Sequence, residues 1–343
     1  MRKWTKWTVM ALAVALQTQF ASAQNAAADF YKGKVISIYV GLPAGGSYDT
    51  YARLIGAYLP KHVPGNPTVI IQNMPGGGSL RAANYVYNVA PQDGTAVGAM
   101  SSNVPLQQLV DDSAVKYDPM KINWLPCPTG TTNLLLVREG SPVKTFDDLR
   151  THETLLGTLA PGSGPTIAIG IYKYVLGAKV KAVLGYEGLP AVMLAMERGE
   201  VDGYSTVPFD TLQRAYGTQW KAGKLRIIAQ SGEKRLDELP NIPTTLELAK
   251  TDDDKKLIGL INASGQITFP YMMGPGVPKD RVAAMRAAMM QIFEDPEFLR
   301  DAATRQTAIN PVSAERVTSI IQAAFATPAP VLQRLKKIAD LKE

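Results

Sequence analysis

The chain has 343 residues but only two histidines, His62 and His152, and one cysteine, Cys127. Nucleophilic chemistry needs a nucleophile beside a base, and a catalytic or structural metal needs several ligands at characteristic spacings. Neither histidine stands in such a spacing. His62 lies between Lys61 and Val63, His152 between Thr151 and Glu153, and both read as surface positions. Cys127 sits between Pro126 and Pro128 with no histidine close in sequence, and reads as a small half-buried apolar residue. There is no Gly-x-Ser-x-Gly elbow, no glycine loop ending in Gly-Lys-Ser/Thr, and no G-x-G-x-x-G spacing at Gly76-Gly77-Gly78. Asp49, Asp202 and Asp210 are candidates for carboxylate chemistry, but capping and strand-end roles are commoner for such residues. Binding without turnover is the better reading, and a hydrolase the alternative.

Residue types suited to holding an anion do recur. Gly45-Gly46-Ser47-Tyr48-Asp49, Gly76-Gly77-Gly78-Ser79 and Pro161-Gly162-Ser163-Gly164-Pro165-Thr166 are small-residue turns that each feed a helical pattern. A helix N-terminus leaves N–H groups without partners, and these can hold a carboxylate or phosphate. Glycine lets a ligand come close to the backbone because no Cβ intervenes. A plain βα connection is the other reading of each turn. Ser101-Ser102-Asn103 adds hydroxyl and amide groups beyond a strand end, and serves equally well as a turn or cap.

These turns need strands and helices to position them. Val35 to Val40 is a short apolar, β-branched run typical of a buried parallel strand. Ser47 is placed as N-cap of the following helix, with Asp49 in its first turn and Tyr51, Leu54, Ile55, Tyr58 and Leu59 on one face. Val69 to Ile71 and Leu80 to Asn88 form a second strand and helix around Gly76–Gly78. Asp93-Gly94-Thr95 is a turn before the strand Ala96 to Met100. Leu134 to Val137, Leu155 to Leu159, Val183 to Tyr186, Val201 to Tyr204 and Leu225 to Ala229 mark further strands or strand ends. Ile167 to Leu176 and Ala191 to Arg198 read as helices, the latter stopped by Gly199. Amphipathic helices follow Pro278, Asp295 and Ser313, and pack most simply on the first lobe. Tandem units of this kind bring the glycine turns to one sheet edge.

The first residues have another purpose. Arg2, Lys3 and Lys6 precede an apolar stretch from Trp7 to Leu16 and the small-residue site Ala21-Ser22-Ala23, the pattern of a cleaved export signal over residues 1–23. No cysteine follows the cut, so a lipid anchor there is not indicated. The formal net charge is +6, and the signal contributes three of those charges. With no Lys/Arg run and no RNA-type aromatic motif, nucleic acid is a poor partner. A single cysteine excludes an internal disulfide. The remaining chain exceeds what one core usually serves, which predicts two lobes, with a change of lobe near residues 126–140.

Taken in order, Gly45 to Arg53, Asn73 to Gly78, Asp93-Gly94-Thr95, Gly188, Gly199-Glu200-Val201-Asp202, Pro240 to Thr244, Gly276-Val277-Pro278 and Asp295-Pro296-Glu297 resemble the periplasmic solute-binding proteins of tripartite tricarboxylate transporters, the Bug or TctC-like proteins. The resemblance implies an α/β, two-lobed periplasmic-binding-protein fold (type II-like), each lobe a mixed sheet flanked by helices. The expected boundaries are 24–130 and 235–343 for lobe 1 and 131–234 for lobe 2. It implies a non-enzymatic receptor, without a cofactor, for a small organic carboxylate (mono-, di- or tricarboxylate, possibly aromatic) bound in the interlobe cleft. Its partners would be a large and a small membrane transporter subunit, with an exported sensory receptor for the same ligands as the alternative. Carried over residue by residue, the ligand site falls on Ser47, Tyr48, Gly77, Gly78, Ser101 and Asn103 in the first lobe and on Ser163, Gly164, Thr166, Tyr186 and Asp202 in the second. Tyr48, Tyr186 and Tyr204 are candidates for an aromatic wall. Three departures stand out: Gly41-Leu42 replaces a common Pro-Phe pair, Ser79 and Ala82 replace glycines, and a histidine common after the second-lobe turn is absent.

Overall fold

A computed structural model describes residues 27–110, 114–159 and 163–339. The stretch read as an export signal and Ala160 to Gly162 lie outside the described residues. Along the chain the elements are β1 (Val35–Val40), α1 (Ser47–His62), β2 (Thr68–Asn73), α2 (Leu80–Asn88), β3 (Ala96–Ala99), β4 (Asn123–Leu125), β5 (Asn133–Arg138), β6 (Thr154–Gly157) and α3 (Gly164–Tyr174). There follow β7 (Val180–Val183), α4 (Leu189–Arg198), β8 (Gly203–Pro208), β9 (Leu225–Gln230), α5 (Asp252–Gln266), β10 (Tyr271–Met273), α6 (Lys279–Glu294), α7 (Pro296–Thr304), α8 (Ala314–Phe325) and α9 (Ala329–Ala339). Short helical turns connect several of them. Among the described residues, no helix is long and apolar enough to cross a membrane.

The elements form two compact units. The first comprises residues up to Thr129 and Thr268–Ser319, the second Gly130–Ile267 and residues from Ile320 onward. Each holds a mixed five-stranded sheet, in the orders β2-β1-β3-β10-β4 and β7-β6-β8-β5-β9. In the first unit β2, β1 and β3 run parallel while β10 is antiparallel to β3 and β4. In the second, β7, β6 and β8 run parallel and β5 is antiparallel to both β8 and β9. Parallel neighbours finish at the same sheet edge, and that edge is where the glycine turns emerge.

Burial explains both units. In the first, Ile36, Ile38 and Val40 pack with Leu54, Ile55 and Leu59 of α1 and with Met285, Met289, Ile292, Phe293 and Phe298 of α6 and α7. Helix α1 lies close enough to β2 that a Cβ on Gly56 would stand 2.9 Å from the Ile71 side chain. In the second, β5 feeds two cores with period two: Leu135 and Val137 face one, Leu134 and Leu136 the other.

The C-terminal third divides differently from the expected 235–343 assignment. Leu257 and Ile258 of α5 and Val331 and Ile338 of α9 fill the second unit's core with Leu135, Ile169 and Ile228. Buried Gln230 holds the segment after β9, donating from Nε2 to the carbonyls of Leu239 (3.1 Å) and Ile242 (2.7 Å). Residues 235–267 and the last helix therefore belong to the second unit, while α6 and α7 pack on the first.

Candidate functional site

In the first unit the turns after β1, β2 and β3 lie side by side. Helix α1 begins differently from the sequence expectation: Gly46, extended at φ −82°, is the N-cap and Ser47 the first helical residue. No side chain caps α1, and the carboxylate of Asp49 in its first turn reaches back past the N-cap. It is buried and accepts from the Gly45 N–H (2.9 Å), Asn73 Nδ2 (3.0 Å) and Arg53 Nε (2.8 Å). Its pKa is lowered to about 2, first by the Arg53 bond and then, against the opposing effect of burial, by Gly45 and Asn73. The Asn73 amide also donates to the Leu42 carbonyl at 3.0 Å, so the end of β2 secures the turn after β1. The first helical bond runs from the Thr50 N–H to the Gly46 carbonyl. The N–H groups of Ser47, Tyr48 and Asp49 precede it and have no intrahelical acceptor.

The turn after β2 is left-handed over four consecutive residues: Gly76 (φ 143°), Gly77 (56°), Gly78 (60°) and Ser79 (81°). Glycine takes such angles without penalty, whereas a side chain there costs about 1–2 kcal/mol. Ser79 is kept there by its surroundings. It is fully buried, its Oγ accepts the Ser101 N–H at 3.1 Å, and it fills the space that a Cβ on Gly41 would need. Gly41 and Ser79 are thus complementary, one giving up the volume that the other takes. Ser101 is bound further, its hydroxyl lying 3.2 Å from the Gly78 carbonyl and against Asn103 Oδ1. Asn103 is exposed and donates from Nδ2 to Gln107 Oε1 at 3.0 Å. The Tyr48 hydroxyl accepts the Ser102 N–H (3.1 Å) and donates to the Thr268 carbonyl (3.2 Å), and its ring packs edge-on against Phe269.

The structure therefore brings Ser47, Tyr48, Gly77, Gly78, Ser101 and Asn103 to one edge. Ser47, Gly77, Gly78 and Asn103 are exposed, while Tyr48 and Ser101 are half-buried and already hydrogen-bonded within the unit. No lysine or arginine occurs in residues 41–48, 74–79 or 100–106. The edge presents oriented N–H groups, with Arg53 and Arg81 on the helices that follow its turns, and the Asp49 carboxylate is turned inward and paired with Arg53.

In the second unit Ser163 is the N-cap of α3 and Gly164 its first residue, exposed with open space around it. Thr166 is fully buried. Its Oγ1 lies 2.9 Å from both Ser163 Oγ and Thr158 Oγ1, so a line of hydroxyls runs inward from the helix start. Pro165 supplies no N–H, which leaves this turn fewer donors than the first unit's. Half-buried Tyr186 joins the group through its N–H on the Thr158 carbonyl (3.2 Å) and through its ring, which packs over Gly157. Tyr204 is buried in the core. Asp202 is not brought to this set. It lies before β8 beside the start of β6, roughly 10 Å of strand away from the turn. Its carboxylate accepts from the Leu155 N–H (2.9 Å) and Arg138 (3.1 Å), which makes it a strand-joining residue.

The other chemically capable residues are engaged elsewhere. Cys127 is wholly buried, not half-buried, and burial pushes its thiol up to about 12. His62 is less exposed than expected, its Nε2 lying 3.0 Å from Asp295 at the start of α7. His152 is exposed. Among the described residues, no three His, Cys, Asp or Glu side chains come together as metal ligands. The bracing roles of Ser79, Asn73 and Thr158 escaped the sequence reading. Each acts through a partner more than five residues away, and only the folded structure reveals these pairings.

The model for TctC, the tripartite tricarboxylate transporter family receptor, matches residues 59–335. The chain belongs to the TctC family. Its fold is shared with a TctC solute-binding protein from Polaromonas (TM-score 0.68, 18% identity, 90% of this chain and 98% of that one). It is also shared with two Rhodopseudomonas palustris proteins. One, solved with adipate, has a TM-score of 0.54 at 21% identity over 89% of this chain and 97% of its own. The other, MatC with bound malate, has a TM-score of 0.53 at 20% identity over 89% and 99%. The two-lobed TctC fold supplies the parallel strand ends, and the family comprises receptors.

Proposed function

We propose that this TctC protein is an exported receptor for a small organic carboxylate, held by the turns of the first unit, and that it delivers the acid to membrane transporter subunits. The observation that carries this reading is the edge formed by residues 41–48, 74–79 and 100–103. It offers N–H groups at the start of α1 and along the glycine turn, with no competing anion because Asp49 is already paired. A carboxylate oxygen accepting such donors gains charge-assisted bonds, each worth about 1.5–3 kcal/mol, and a favourable helix dipole. The donors are held in place by bonds among the turns, so little ordering cost falls on binding.

Support also comes from the two R. palustris relatives of the fold, which hold the dicarboxylates adipate and malate. Within this reading Ser47, Gly77 and Gly78 meet one carboxylate of the acid. The leader-like residues 1–23 fit delivery to the periplasm, where such a receptor acts. The test is a thermal-shift screen of the chain without residues 1–23 against mono-, di- and tricarboxylic acids, followed by calorimetry and recovery of the acid. A ligand at 100 times its dissociation constant adds about 2.7 kcal/mol. Stabilisation by one class of acid, recovered unchanged, is the expected result. A conversion of the acid, or silence across the panel when the protein has first been unfolded and refolded to strip bound ligand, would overturn it.

A further inference from the structure

We infer that Tyr48 is a positioning residue of the carboxylate edge, its hydroxyl a brace between turns and not a donor to the ligand. The inference rests on the reading of that edge as the acid's site. A phenol has one hydrogen to give, and that of Tyr48 goes to the Thr268 carbonyl at 3.2 Å. A carboxylate can only accept, so a hydroxyl whose proton is already given has nothing to offer it. The same oxygen accepts the Ser102 N–H at 3.1 Å, and the ring is fixed edge-on against Phe269 with centroids 4.6 Å apart. Tyr48 thereby joins the start of α1 to two other stretches of the first unit, the turn after β3 and the segment leading into β10.

The consequence reaches the glycine turn. Ser102 is pinned by Tyr48, and the adjacent Ser101 is pinned to Ser79 through its N–H and to the Gly78 carbonyl through its hydroxyl. Tyr48 thus closes a chain of bonds from the first turn through the third to the second, and Gly78 lies at its end. Losing the hydroxyl would leave the Ser102 N–H without its acceptor and free residues 100–103 to move. The geometry of the N–H groups at Gly77 and Gly78 would then be less fixed before the acid arrives.

The test compares Tyr48→Phe with Tyr58→Phe. Phenylalanine retains the contact with Phe269, so helix α1 remains packed. Tyr58, on the same helix, gives its hydroxyl to Asp301 (3.2 Å), far along the chain from these turns, and serves as the control. Amide hydrogen exchange of the ligand-free proteins is read on the peptide spanning residues 100–106, and affinity by calorimetry on each acid that the wild-type protein binds. Expected for Tyr48→Phe is faster exchange in that peptide and an affinity loss of about tenfold, or about 1.4 kcal/mol, that is equal for all the acids. Tyr58→Phe should change neither. Exchange equal to wild type in Tyr48→Phe would overturn the inference, and if affinity fell nonetheless Tyr48 would be a direct ligand. A wild-type protein that binds no acid would count against the receptor reading alone, because the ligand-free exchange still decides the role of Tyr48.

Discussion

Replacing Asp49 with asparagine keeps the shape of the side chain but removes its charge and half of its acceptor capacity. The buried carboxylate accepts from Gly45, Asn73 and Arg53, and an amide presents its NH2 to one of these donors. The pKa of Asp49 falls from an ordinary 3.8 to about 2, which corresponds to about 2 kcal/mol of stability at neutral pH. This is an upper figure, because the Arg53 side chain is 50% exposed and its part is screened by water. The sign follows from the direction of the shift. A depressed carboxyl pKa contributes stability that is fully present above pH 3.8 and is lost as pH falls through 2. At pH 3 about half of the contribution is already gone. Asp49→Asn should therefore be less stable than wild type by about 2 kcal/mol at pH 7, and the gap should narrow by about 1 kcal/mol at pH 3. Urea unfolding of both proteins at the two pH values measures it, and the other carboxylates cancel in the difference. A gap that does not narrow toward pH 3 would refute the assignment of the stability to the ionised carboxylate. No gap at pH 7 would refute the idea that Asp49 holds the turn.

Three further outcomes follow from the same geometry. Gly78→Val places a β-branched side chain at φ 60°, beside Asn103 Nδ2, and should abolish acid binding while far-UV circular dichroism stays that of wild type; calorimetry showing retained affinity would remove this turn from the site. Cys127, buried and with its thiol pushed up to about 12, should resist iodoacetamide at pH 8 in the native protein and react once the protein is unfolded in urea, as mass spectrometry would read. Thr158→Val removes the inner hydroxyl of the line through Thr166 to Ser163 and should cost about 1–2 kcal/mol in urea unfolding, while Ser163→Ala, at the half-buried outer end, should cost less.

Local features of the fold were legible because local chemistry determines them. The β-branched run at Val35–Val40, the left-handed glycines at 76–78 and the Gly199 stop at φ 75° all lie where their residue types require. The start of α1 was not legible. Ser47 is the favoured residue type for a cap, but Asp49 reaches back to Gly45 because Arg53 and Asn73 secure it there, and Asn73 is 24 residues away. The last helices show the same limit. Amphipathicity says that a face of α9 is buried, yet nothing in its period says that Ile338 lies against Gly170 in the second unit.

The candidate site divides along the same line. Gly77, Gly78 and Gly164 stand out as candidates in the sequence because glycine before a helix has a backbone meaning of its own. Tyr48, Ser101 and Asp202 could not, since a hydroxyl or carboxylate looks available until its partners are known. In the fold, Asp202 spends its oxygens on Leu155 and Arg138, and Tyr48 and Ser101 spend theirs on neighbouring turns. The side chains that seemed able to touch a ligand hold the backbone instead. This arrangement also gives a reason for Ser79 at φ 81°. A glycine would relieve the backbone there, but it would leave the Ser101 N–H without its acceptor and open the space against Gly41. Local strain of about 1–2 kcal/mol is offset by a bond and a contact that keep three turns in register, so the rigidity of the edge comes from the same residue that strains it.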